Sequence, residues 1–144
     1  MPTSYCHLAT HIIFSTKDRY KFLMDSKHLK MNQYIAGIIK NVKGTSIIVN
    51  GGQDHVHILC LLPKEMHIAE FVRTIKSNSS KWFSDKHHPK FSWQSGYAAF
   101  SVSKSNLSAV ETYIKNQEEH NKQVSFGEEF KHYLEKHGFV YSEE

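Results

Sequence analysis

Cysteine, proline and glycine are all scarce in this chain, at two, three and seven residues among 144. Cys6 and Cys60 lie far apart and form no Cys-x-x-Cys spacing, which argues against both a disulfide framework and a thiolate zinc site. Both are expected to be buried free thiols. No Pro-, Gly- or Ser-rich stretch reads as a linker, and no internal repeat is visible. No run approaches the roughly 20 apolar residues of a membrane span. The segment from Met1 to Tyr20 carries His7, His11, Lys17, Asp18 and Arg19 and lacks the apolar core of a signal peptide. These absences predict a cytoplasmic chain with no membrane association, folded as a single domain over residues 1–144.

Charge of one sign is not abundant either. Eighteen Lys and Arg against fourteen Asp and Glu give a formal charge of +4, which suits a polyanionic partner without specifying one. Histidine is plentiful at eleven residues, so their geometry has to decide which of them matter.

Hydrophobic periodicity divides the chain into elements. His7 to Ser15 alternates as a strand, with His11 among the residues of one face. Met31, Ile35, Ile38, Ile39 and Val42 follow at helical spacing, with Ser26 as the expected N-cap and Gly44 as the expected stop. Thr45 to Asn50 and His55 to Leu62 read as two strands of a hairpin across Gly51-Gly52, ended by Pro63. Ile68, Phe71, Val72, Ile75, Ser79, Trp82 and Phe83 form a second helical stripe, and Tyr97 to Ser103 alternates again. The order β-α-β-β-α-β predicts an α+β, ferredoxin-like fold with both helices on one face of a four-stranded antiparallel sheet. Two additional C-terminal helices are expected. One runs from about Ser105 to His120. The other starts at the Ser125-x-x-Glu128 capping box and carries Phe126, Phe130, Tyr133 and Leu134 on one side.

Alternation along the third strand puts His55, His57, Leu59 and Leu61 on one face. A two-residue step separates the bases of the two histidines by roughly 6.5–7 Å, a span that two imidazoles can close onto one ion. Imidazole suits manganese, zinc and related divalent metals, whereas oxygen ligands favour magnesium. In a chain this rich in histidine, an isolated His-x-His is more often chance than a metal site. Tyr113 and Gln117 change the balance: four residues apart, they share one face of the expected helix. The sheet face bearing His55 and His57 needs a cover. The helix of Val110, Tyr113, Ile114 and Gln117, from this chain or a partner, is suited to supply it.

Three separated runs, Asp54-His55-Val56-His57-Ile58-Leu59, Phe91-Ser92-Trp93-Gln94-Ser95-Gly96-Tyr97 and Tyr113-Ile114-Lys115-Asn116-Gln117, resemble the single-tyrosine HUH transposases. These include the smallest bacterial insertion-sequence transposases and the REP-associated tyrosine transposases. The similarity begins at Thr10-His11-Ile12-Ile13-Phe14-Ser15-Thr16-Lys17 and spans nearly the whole chain. It implies that His55, His57 and Gln117 ligate a divalent ion, Mg or Mn, and that Tyr113 attacks single-stranded or hairpin DNA. A covalent 5′-phosphotyrosine would form and a free 3′-hydroxyl would later reverse the step. It also implies a homodimer, in which Tyr113 can act in cis or in trans, and no small-molecule organic cofactor.

Candidate DNA contacts are Arg73, Lys76 and Lys81 on the polar side of the second helix, Lys104 after the last strand, Lys115 near Tyr113, and Trp93 as a base-stacking side chain. A solvated helix face is the competing account of the basic residues. Three other functions share parts of this pattern. An RNA-recognition motif has the same element order but stacks bases on strand aromatics, where this chain has His55 and His57. A domesticated hairpin-binding relative would bind DNA without transposing it. A metal-dependent nuclease would use the same histidines with an activated water.

Overall fold

The computed structural model describes residues 3–141. Its core is one antiparallel sheet with the strand order β2-β3-β1-β4, where β1 is Ala9–Ser15, β2 Thr45–Gly51, β3 His55–Leu61 and β4 Ala98–Ser101. Helix α1 spans Lys27–Asn41 and α2 spans Ile68–Lys86. The expected β-α-β-β-α-β arrangement is therefore present, with β1 and β3 as its central strands.

The pairing register sorts the side chains. Ile13 lies opposite His57 and His11 opposite Leu59, so these residues share one face, while Ile12, Phe14, Val56, Ile58 and Cys60 take the other. That second set packs with Met31, Ile35, Ile39, Phe71, Val72, Ile75 and Phe83 of α1 and α2 to form the main core. The first face is covered from the C-terminal side of the chain, by Val110 and Ile114 against Leu59 and by Phe126 against Ile13 and Phe100.

Three expectations need correction. Cys60 is buried, but Cys6 is exposed, because it precedes β1 and meets no core face. Ser26 does not cap α1: Asp25 and Ser26 both adopt left-handed backbone, and Ser26 makes no side-chain cap bond. The loop is fixed instead by buried Leu23, whose N–H donates to the carbonyl of Gln53.

The third correction bears on the site. The helix expected from Ser105 to His120 is broken, so among the described residues three α-helices follow the sheet: α3 (Leu107–Lys115), α4 (Gln117–Gln123) and α5 (Phe126–Lys136). The break falls at Asn116, whose backbone is at φ −91°, ψ 17°. Asn50 Nδ2, reaching from β2, donates to the carbonyls of Ile114 at 3.0 Å and Lys115 at 3.4 Å. These are end-of-helix acceptors that a continuing helix would engage. The capping box at the start of α5 is formed, with Ser125 Oγ accepting from the Glu128 N–H.

Candidate metal and nucleophile site

His55 and His57 project from β3 onto the face covered by α3, α4 and α5, and both are buried. At the hairpin, a Cβ added to Gly52 would lie 2.9 Å from His55 Cε1 and 2.7 Å from Asn121 Nδ2. Only glycine lets this turn approach the His55 ring so closely.

Each histidine is held by its Nδ1. His55 Nδ1 is 2.8 Å from Asp54 Oδ1, and His57 Nδ1 is 2.9 Å from His11 Nε2. Both Nε2 atoms turn to a common point, where they meet Gln117 and Glu129. His55 Nε2 is 3.1 Å from Gln117 Oε1, and His57 Nε2 is 2.9 Å from Glu129 Oε1. Gln117 Nε2 donates to Glu129 Oε2 at 3.3 Å, which fixes the orientation of the amide. Gln117 and Glu129 are themselves buried.

Those contacts suit a divalent cation. His55, His57 and Glu129 each offer a ligand atom within 4.8 Å of the others. For ligands about 2.1 Å from an ion, neighbouring donors sit roughly 3.0–3.4 Å apart and opposite ones about 4.2 Å. The separations of 2.9 Å, 3.1 Å and, between His55 Nε2 and Glu129 Oε1, 4.0 Å cover that range. The tautomer of His55 that donates Nδ1–H to Asp54 leaves a lone pair on Nε2 facing the Gln117 carbonyl oxygen. Two acceptors so placed are reconciled by a shared cation. His120 Nε2 lies 2.6 Å from Glu129 Oε2, and among the described residues this buried atom has no hydrogen-bond partner. Histidine nitrogens with an amide and a carboxylate oxygen form a mixed donor set that suits a divalent cation.

Burial works against charge here. It presses His57 down to about 4, although the Glu129 hydrogen bond pulls the other way. Burial alone would raise Glu129, but the hydrogen bond from His57 and the nearby His55 hold its carboxyl at about 2. Tyr113 lies edge-on to His57, with ring centroids 5.8 Å apart. Burial, followed by the Glu129 carboxylate, raises its phenol well above the ordinary range. Tyr113 also lines a cleft between α3 and α5 whose walls include Asn106, His120, Glu129, Tyr133 and Lys136.

The structure thus gathers His55, His57, Gln117 and Tyr113 at one place, although Tyr113 and Gln117 stand on separate helices. Glu129 was missed. Its signal was an acidic side chain three residues after Phe126, one before Phe130 and four before Tyr133, inside an apolar stripe where a charge needs a partner.

The candidate DNA contacts are dispersed. Arg73 and Lys81 are exposed on α2, across the sheet from Tyr113. Lys104 and Lys115 are exposed on the Tyr113 side. Lys76 is half-buried and spends its ammonium on the carbonyls of Gln94 and Gly96, so it braces a loop. Trp93 is only 8% exposed, its indole N–H donates to Ser79 Oγ at 2.9 Å, and it packs edge-on to Phe14. Its ring belongs to the core and offers no face to a base, which corrects the stacking role expected of it.

A family model described as "Transposase IS200 like" matches residues 4–117. The transposase for insertion sequence element IS200 of Salmonella typhimurium is 28% identical over 121 residues, which are 78% of this chain and 78% of that protein. A crystal structure of a Deinococcus radiodurans protein assigned as a transposase superposes with a TM-score of 0.65 at 24% identity, covering 81% of this chain and 95% of that one. A REP-associated tyrosine transposase bound to a REP hairpin gives a TM-score of 0.64 at 13% identity, over 86% of this chain and 74% of that one. These two structures share the fold.

Proposed function

Because the chain belongs to the IS200-like transposase family, we propose that it cleaves and rejoins single-stranded DNA through a covalent 5′-phosphotyrosine on Tyr113. The observation that carries this reading is the placement of Tyr113 beside His57 within the His55, His57, Gln117 and Glu129 cluster.

Gln117 and Glu129 hold the oxygen side of the site and His55 and His57 its nitrogen side. A divalent cation, Mg or Mn, bound there would polarise a phosphate oxygen and favour the phenolate of Tyr113. Tyr113 Oη attacks the phosphorus, the 3′-oxygen leaves with a proton, and the phosphate ester passes to the enzyme. That bond is conserved, so an incoming 3′-hydroxyl can displace Tyr113 and rejoin the strand without an added energy source. An activated water would discard it.

The α3–α5 cleft provides a route for the strand to Tyr113. Lys104 and Lys115 on the same side are the proposed phosphate contacts, with Arg73 and Lys81 serving a more distant part of a hairpin. The binding of a hairpin by the REP-associated neighbour supports DNA of that shape as the partner. The proposal includes a single catalytic domain acting in the cytoplasm as a homodimer, and a monomer mass by light scattering would overturn the last element.

The test is incubation with labelled hairpin-bearing single strands and Mn, resolved on denaturing gels. A protein–DNA adduct is expected that disappears in Tyr113→Phe. Cleavage that persists in Tyr113→Phe would replace this reading with a metal-dependent nuclease. Binding with no adduct in the unaltered protein would replace it with a hairpin-binding relative.

A further inference from the structure

The metal reading requires His57 to present a lone pair on Nε2, and the structure shows what stands behind that ring. His57 Nδ1 is 2.9 Å from His11 Nε2, and His11 Nδ1 is 2.9 Å from the Tyr133 hydroxyl. His11 comes from β1, His57 from β3 and Tyr133 from α5. His11 and His57 are both 0% exposed, and their rings stack with centroids 5.1 Å apart. Both nitrogens of His11 are spent in this chain of contacts.

We propose that His11 is a positioning residue for the metal site, holding His57 in the Nδ1–H tautomer and being held in turn by Tyr133. The inference rests on the metal reading given above. A neutral imidazole carries one N–H, so a free Nε2 lone pair places the proton of His57 on Nδ1. In a fully buried site that N–H needs an acceptor, and His11 Nε2 is the atom in reach. His11 can accept there only with its own proton on Nδ1, and that proton goes to Tyr133 Oη. The three groups form a directional series in which each one's tautomer fixes the next.

The test measures Mn binding to the metal-free full chain, without DNA, from the electron paramagnetic resonance signal of free Mn. His11→Ala should weaken binding by about ten- to a hundredfold, the usual effect of removing a histidine's outer partner. His11→Gln, whose amide oxygen can stand where Nε2 stood, should recover most of the loss. Nitrogen-15 spectra of the Mg-loaded protein should show His11 and His57 both as Nδ1–H tautomers. If His11→Ala does not fold, Tyr133→Phe, which removes only the outer acceptor, should still weaken Mn severalfold. Unchanged Mn binding in His11→Ala, a His11→Gln variant no better than His11→Ala, or an Nε2–H tautomer of His57 in the loaded protein would overturn the inference alone. Absence of Mn binding by the unaltered chain would overturn the metal reading together with it.

Discussion

Moving the metal-free protein from pH 7 to pH 5 should destabilise it by about 4 kcal/mol, through His57 of the site and His11 behind it. Burial, reinforced by His57, lowers His11 from 6.5 to about 3, and burial lowers His57 from 6.5 to about 4. Both folded values lie below the unfolded one, so the unfolded chain binds more protons throughout the interval. The stability is therefore intact above pH 6.5 and declines as the pH falls, until the folded histidines protonate near 4 and 3. At pH 5 each histidine forfeits about 1.5 pH units, or about 2 kcal/mol. Glu129 does not contribute in this window. Its carboxyl, lowered from 4.5 to about 2, supplies stability that is present above 4.5 and lost only below it. Against a total of about 5–15 kcal/mol for a typical domain, the loss is large. Urea titration in the presence of a chelator, followed by the fluorescence of buried Trp93, should show the midpoint falling by on the order of 2 M. His11→Gln should remove roughly half of the pH dependence, since it removes one of the two groups. Coincident midpoints at pH 7 and pH 5 would refute the reasoning.

Four other outcomes are expected. Ser79→Ala leaves the Trp93 indole N–H buried without its acceptor at 2.9 Å, which should cost about 1–3 kcal/mol and lower the melting temperature by several degrees. In Gly51→Ala the new Cβ would lie 2.3 Å from the His55 carbonyl oxygen, so the hairpin must shift, and calorimetry should show weakened stability and weakened Mn binding together. Glu129→Gln keeps the size of the side chain but removes its charge, and should weaken Mn binding by about tenfold or more, equivalent to about 1.4 kcal/mol per factor of ten. Lys104→Ala and Lys115→Ala should each reduce the salt dependence of single-strand binding by about 0.7 in logarithmic slope if each contacts one phosphate; an unchanged slope removes them from the interface.

The strands and their faces were legible because a period of two in β1 and β3 has few competing interpretations. Once His55 and His57 share a face, pairing with β1 brings His11 to the same side. The break at Asn116 was not legible, because the Tyr113 and Gln117 spacing continues a helical pattern through it. What stops the helix is a tertiary contact, Asn50 capturing the carbonyls of Ile114 and Lys115. Two errors of the opposite kind came from treating polarity and position as exposure. Trp93 precedes the last strand in an apparent loop, yet fills the core beside Phe14. Lys76 lies on the polar side of α2, yet its ammonium braces two backbone carbonyls. Glu129 lies beyond the residues matched by the family model, and only the fold carries it to His57. Packing of Phe126 against Ile13 and Phe100, worth about 1.5–3 kcal/mol for a fully buried side chain, anchors the helix that brings it there.

The central claim is that Tyr113 forms the bond to DNA, and the most direct measurement is the mass of the linked peptide. After reaction with a hairpin-bearing single strand and Mn, nuclease and protease digestion should leave a nucleotide joined through its 5′-phosphate to the peptide containing Tyr113, with fragment ions placing the added mass on that side chain. Cleaved DNA carrying a free 5′-phosphate, with every tyrosine unmodified or with the nucleotide on a different residue, would contradict the account.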